Sequence, residues 1–143
     1  MTEVVVRSLD GLTQEIEARG HRLWADEPSE AGGANLGPTP YELLLAALGT
    51  CTAMTLRLYA SRQRWPVETI QVKLRHERVH AQDCADCETQ DTYLDRVYKD
   101  VEVSGPLTPE QLQRLSEIAR RCPVQQTLNR QIQVLDSLAG SIA

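Results

Sequence analysis

An uncharged run of 14 residues, Leu43 to Leu56, constrains the fold of this chain more than any other feature. It reads Leu-Leu-Leu-Ala-Ala-Leu-Gly-Thr-Cys-Thr-Ala-Met-Thr-Leu, with Cys51 inside it. The run is shorter than the roughly 20 apolar residues that cross a bilayer, so it reads as a buried helix on which the other elements pack. Thr39-Pro40-Tyr41-Glu42 supplies its start: Thr39 suits the N-cap, Pro40 the first helical position, and Glu42, at N3, completes a capping box. Trp65-Pro66 supplies its end, because a residue before proline is pushed out of helical geometry. The spacing predicts a helix to about Arg62 or Gln63.

Around this helix the pattern is mixed. Val4 and Val6 alternate with polar neighbours, Asp10-Gly11 is a hairpin turn signal, and Leu12, Gln14, Ile16 and Ala18 share a strand face. Arg19-Gly20 marks a second turn, followed by a strand through Leu23 and Ala25. Residues 27–38 form a Gly- and Pro-rich loop. After the helix, Ile70, Val72 and Leu74 alternate with Thr69, Gln71, Lys73 and Arg75. A polar loop at 81–92 leads to a strand from about Tyr93 to Ser104, with Val97, Val101 and Val103 on one face. These two strands read as a long antiparallel hairpin.

Thr108-Pro109-Glu110-Gln111 opens a second helix with a capping box, and Leu107 can staple onto Leu112. Leu112, Leu115, Ile118, Ala119 and Cys122 follow at helical spacing as a buried stripe. Pro123 must end that helix, and it suits N1 of a short third one. Cys122 then becomes an N-cap, where the helix dipole favours a thiolate by roughly 0.3–1 kcal/mol. A short tail strand is expected around Ile132 and Val134. The sum is an α+β fold, read as one domain over residues 1–143.

With 41% hydrophobic residues in 143, the chain can bury an adequate core. The net charge of −5 argues against nucleic acid or an anionic membrane as partner. Aromatic residues are only 4%, with no Phe, which argues against base stacking. The N-terminus has no basic segment ahead of an apolar run, so no signal peptide and a cytoplasmic location are expected. In that setting four cysteines are better read as redox or metal groups than as a disulfide framework. Cysteine reacts as thiolate, so Cys51 and Cys122, one in the apolar helix and one at a helix terminus, are the candidates for chemistry. Small core residues are the plainer alternative.

A second constellation is His76-x3-His80-x3-Cys84-x2-Cys87, which has zinc-ligand composition. If the strand continues to His80, His76 lies ~13 Å away at about 3.3 Å per residue, too far to share an ion. His80, Cys84 and Cys87 with a fourth ligand remain as metal candidates, beside a local Cys-x-x-Cys dithiol and plain exposed loop cysteines. His76 and His80 share the parity of Ile70, Val72 and Leu74, so they line a pocket or cap the core edge.

Gly37-Pro-Thr-Pro-Tyr-Glu-Leu-Leu-Leu-Ala-Ala-Leu-Gly-Thr-Cys51 and Cys122-Pro-Val-Gln-Gln-Thr-Leu128 resemble the two signature regions of the OsmC/Ohr family of osmotically inducible and organic hydroperoxide resistance proteins. The two cysteines stand about 70 positions apart, and the order of elements matches over nearly the whole chain. The resemblance implies an intertwined homodimer with active sites at the subunit interface. It implies reduction of organic hydroperoxides, with Cys51 peroxidatic and Cys122 resolving through a disulfide. A lipoyl-type dithiol would serve as reductant, and no cofactor is implied. The family also uses a Glu and an Arg near the peroxidatic thiol. Glu42 precedes Cys51 by nine residues where relatives commonly show ten, the offset held here by Tyr41. Arg22 matches the Arg position of one branch and Arg7 that of another, with Arg19 a third option. Gln125 stands where many relatives carry a small hydroxyl residue. Two other readings stand beside this one: a metal-binding or redox-sensing module centred on Cys84 and Cys87, and a non-catalytic dimer that keeps the fold.

Overall fold

The computed structural model describes residues 1–80 and 93–140. Three strands, β1 (Val5–Ser8), β2 (Gln14–Ala18) and β3 (His21–Ala25), form an antiparallel meander in that order. The β2–β3 turn is made by Arg19 and Gly20, with φ of 50° and 81°, between the paired residues Ala18 and His21. Two central residues at positive φ make the turn whose twist matches paired strands. The first connection is longer than Asp10-Gly11 suggests. It occupies residues 9–13 and closes with the Leu9 N–H on the Thr13 carbonyl at 2.9 Å. Leu12 therefore lies exposed in the turn instead of on the β2 face.

The loop after β3 is organised by Asp26, which is 2% exposed. Its carboxylate accepts the Thr13 hydroxyl at 2.8 Å and the backbone N–H groups of Glu27, Ala34 and Leu36 at 2.8, 3.4 and 3.3 Å. Gly33 and Gly37 allow the wrap. A Cβ on Gly33 would strike the Glu27 carbonyl, and one on Gly37 the Trp24 carbonyl.

Helix α1 spans Pro40–Gln63, starting and ending where its sequence signals stand. The Thr39 N–H donates to Glu42 at 3.1 Å, and the Glu42 N–H to the Thr39 hydroxyl at 3.2 Å. At the other end Arg64 adopts φ 56°, and the Trp65 N–H reaches back to the Ala60 carbonyl at 2.9 Å. That is a Schellman-type closure with arginine in the position glycine usually fills. The helix extends beyond the uncharged run at both ends, and at 24 residues it is long and apolar enough to cross a membrane by length and composition. The central helix of a soluble protein meets the same description.

β4 (Thr69–His80) and β5 (Tyr93–Ser104) form a two-stranded sheet. The Glu68 N–H meets the Ser104 carbonyl at one end, and Glu77 meets Arg96 and Tyr98 towards the other, the crossed numbering of an antiparallel pair. Helices α2 (Pro109–Ala119) and α3 (Pro123–Leu128) follow. The expected tail strand does not form: among the described residues both sheets consist of β1 to β5, and Ile132 and Val134 are exposed. Extended backbone without a ladder partner keeps no strand.

By packing, the chain divides into two compact units. The first comprises Met1–Gly49 and Lys73–Asp100, the second Thr50–Val72 and the chain from Val101 onward. The second holds an apolar core of Leu56, Leu115, Ile118 and Ala119, against which Trp65, Ile70, Val101, Val103 and Leu107 pack. Two sequence expectations fail here for one reason, that packing decides burial beyond periodicity. Leu107 packs on this core while Leu112 stays exposed, and Val97 is exposed while Val101 and Val103 are half-buried.

Candidate active site

Helical spacing gives α1 two faces. Leu48, Thr52, Leu56 and Ala60, each four residues on, are buried. Leu44, Ala47, Met54 and Leu58 are exposed, and the half-buried Cys51 completes their i, i+3, i+4 stripe. The sequence thus places Cys51 on the helix face that the described residues leave exposed.

Cys122 ends the α2 stripe and caps α3. The Thr108 capping box starts α2 as expected, and Pro123 stands at N1 of α3. The Cys122 sulfur accepts the Gln125 N–H at 3.4 Å and is fully buried, at 0% exposure. Both sulfurs are thiols.

Within the second unit these two thiols meet. The Cys51 thiol is in hydrogen-bond contact with the Cys122 thiol, receives the Val124 N–H, and lies within reach of the Thr55 hydroxyl. The first turn of α3 therefore delivers one N–H to each sulfur, Val124 to Cys51 and Gln125 to Cys122, while Pro123 has none to give. Burial is the largest influence on Cys51 and pushes its pKa up. The neighbouring Cys122 adds to this, whereas Val124 and Thr55 pull it down. Two thiols in contact are the arrangement from which a disulfide can form.

The other candidates lie in the first unit. Arg7 pairs with Glu17 at 3.0 Å and Glu15 at 3.5 Å, and Arg22 with Glu15 at 3.7 Å. Arg19 is the first residue of the β2–β3 turn. Glu42 holds the α1 cap. A cluster that the sequence did not reveal surrounds Tyr41. The His76 ring stacks on it at 4.6 Å, and Arg78 donates to its hydroxyl at 2.9 Å. Asp95 accepts from Arg78 at 3.0 Å and bonds His76 at 2.8 Å. Arg78 first, then His76, holds the Asp95 carboxyl below the usual carboxylate range. The even parity of His76 and Arg78 on β4 was visible in the sequence, but nothing marked Asp95 as their partner.

Cys84 and Cys87 lie outside the described residues. His80 ends β4 with its ring edge-on to Tyr93 at 5.3 Å. Among the described residues, no group of three or more His, Cys, Asp or Glu side chains is placed to hold a metal ion.

The sequence matches the OsmC-like protein family over residues 32–135, a span that contains both thiols. This chain belongs to the OsmC/Ohr family. Its α+β architecture is the OsmC-like fold. An OsmC-like protein from Mycoplasma pneumoniae superposes with a TM-score of 0.71 at 16% identity, covering 90% of this chain and 86% of that one. An organic hydroperoxide resistance protein from Legionella pneumophila gives 0.64 at 18%, over 90% and 89%. The organic hydroperoxide resistance protein OhrB of Bacillus subtilis gives 0.61 at 19%, over 90% of each. At these identities the likeness carries the fold. No curated protein matches the sequence.

Proposed function

We propose that this OsmC-like protein is a cytoplasmic, homodimeric thiol peroxidase that reduces organic hydroperoxides to alcohols. The observation that carries this reading is the contact between two thiols of unequal access, Cys51 half-buried on an apolar helix face and Cys122 sealed at 0% exposure. A peroxide can reach only the first, so Cys51 is the nucleophile and Cys122 the resolving thiol. The Cys51 thiolate attacks the distal oxygen of ROOH, the O–O bond breaks, and an S–O bond forms. Cys51 becomes a sulfenic acid, and the departing alkoxide takes a proton to leave as alcohol. Cys122 then displaces hydroxide from the sulfenic sulfur, its own proton completing water, and the pair is left as a disulfide. A dithiol of lipoyl type restores both thiols by exchange.

Two further points support the reading. The stripe of Leu44, Met54 and Leu58 beside Cys51 suits the organic tail of a hydroperoxide better than hydrogen peroxide. Fold relatives from Legionella pneumophila and Bacillus subtilis bear the name organic hydroperoxide resistance protein. Cys51 and Cys122 carry the proposed chemistry.

Counting thiols after one equivalent of cumene hydroperoxide tests the reading. The wild type is expected to lose two thiols rapidly and Cys51→Ser none. Cys122→Ser is expected to gain one oxygen in mass at Cys51. A wild type that keeps all its thiols sinks the peroxidase.

A further inference from the structure

We infer that Thr55 is a switchable donor that stabilises the Cys51 thiolate, its hydroxyl proton turning from the Cys51 carbonyl oxygen to the Cys51 sulfur as the thiol ionises. The role rests on the reading of Cys51 as the nucleophile. Thr55 stands one helical turn after Cys51, and its Oγ1 donates to the Cys51 carbonyl at 2.8 Å. Threonine in a helix can hold its hydroxyl there, against the i−4 carbonyl, in a rotamer open to it. From that position the same hydroxyl also lies within reach of the Cys51 thiol. One oxygen thus sits between the main-chain and side-chain acceptors of a single residue.

A hydroxyl has one proton to donate, so the two acceptors compete for it. While Cys51 is a thiol, its sulfur is a weak acceptor and the carbonyl wins, as the short 2.8 Å bond shows. A thiolate is charged, and a charge-assisted hydrogen bond is roughly twice as strong as a neutral one. The proton then turns to sulfur by rotation about the Cβ–O bond, with no heavy atom moving. The abandoned carbonyl keeps its helical N–H partner four residues on. The need for such a donor follows from the surroundings: burial opposes ionisation of Cys51, and the Val124 N–H that also reaches it is fixed in the backbone. Thr52 cannot substitute, since it occupies the opposite, buried face of α1.

The test uses the full chain with Cys122→Ser, so that Cys51 titrates without its neighbour. Iodoacetamide alkylation of Cys51 is followed by peptide mass from about pH 6 to 10, spanning the ordinary thiol range. Thr55→Val keeps the shape and removes the hydroxyl. Its profile is expected to move up by about one pH unit, making alkylation about tenfold slower at neutral pH. Thr55→Ser restores the hydroxyl and is expected to titrate like the parent. A Thr55→Val profile that overlays the parent, or Val and Ser variants that shift alike, overturns the role. Oxidation of Cys51 by cumene hydroperoxide is measured in parallel and should slow by the same factor in Thr55→Val. If alkylation shifts as expected while no variant reacts with hydroperoxide, the Thr55 donor stands and the peroxidase reading falls.

Discussion

Four donors converge on the Asp26 carboxylate, which is 2% exposed, and three of them are main-chain N–H groups of the loop it anchors. Burial alone would raise its pKa, but the bonds from Glu27, Thr13, Leu36 and Ala34 outweigh burial and hold the carboxyl below its usual range. A carboxylate depressed on folding contributes stability that is fully present above its unfolded pKa, about 4, and is lost as pH falls through the folded value. Asp26→Asn removes the titration and leaves one amide oxygen where two carboxylate oxygens accepted. It is expected to unfold at lower urea than wild type at neutral pH. Its acid branch below about pH 4 should be flatter. Matching acid branches by circular dichroism would show that Asp26 is not the titrating group. The settings of Cys51 and Cys122, an apolar helix and a Cys-Pro junction, could be read from the sequence because they are local. Asp26, Thr55 and Asp95 could not, because each acquires its role from groups that only folding brings to it, except that Thr55 stands four residues from Cys51, a spacing that could have been used.

At the scale of elements, boundaries were the readable part. Capping boxes at Thr39 and Thr108 are four-residue signals, and both form as written. Removing one has a known scale: Thr108→Ala should cost about 1 kcal/mol in urea unfolding. The α1 C-terminus was located by Trp65-Pro66, yet the device that closes it was not foreseen. Arg64 takes φ 56° there, a left-handed conformation that crowds its Cβ. Arg64→Gly relieves the crowding while keeping the Trp65 N–H on the Ala60 carbonyl, and should stabilise the protein by about 0.5–1 kcal/mol. A decrease in the urea midpoint would mean that the arginine side chain contributes more than the backbone strain costs. The place of Leu112 on the buried stripe and the tail strand misled for a common reason. Each assumes a packing partner, and neighbours in sequence do not fix which partner the tertiary structure offers.

At the scale of the whole molecule, α1 carries an apolar stripe that the described residues leave exposed. Its most apolar window is only 28% buried, with Met54 65% and Leu58 58% exposed beside Leu44 and Cys51. An apolar stripe of that length on a helix is rare on a monomer surface and marks an interaction face. A second copy of the chain is the occupant expected here, since a two-fold axis lets one stripe cover another of identical sequence. The chain should then sediment at twice its 16.0 kDa mass. Replacing Met54 and Leu58 together by Glu puts two charges at the centre of that face, where burial without a partner is prohibitive. The double variant is expected to sediment at 16.0 kDa and keep its helical circular dichroism, because neither side chain belongs to the buried core. Its Cys51 should also alkylate faster than in wild type, since the thiol shares the uncovered stripe. A wild type that sediments as a monomer but floats with lipid vesicles would instead assign the stripe to a membrane surface. A double variant that remains dimeric would place the subunit contact on another face, and Cys51 would then have to meet its substrate in the open.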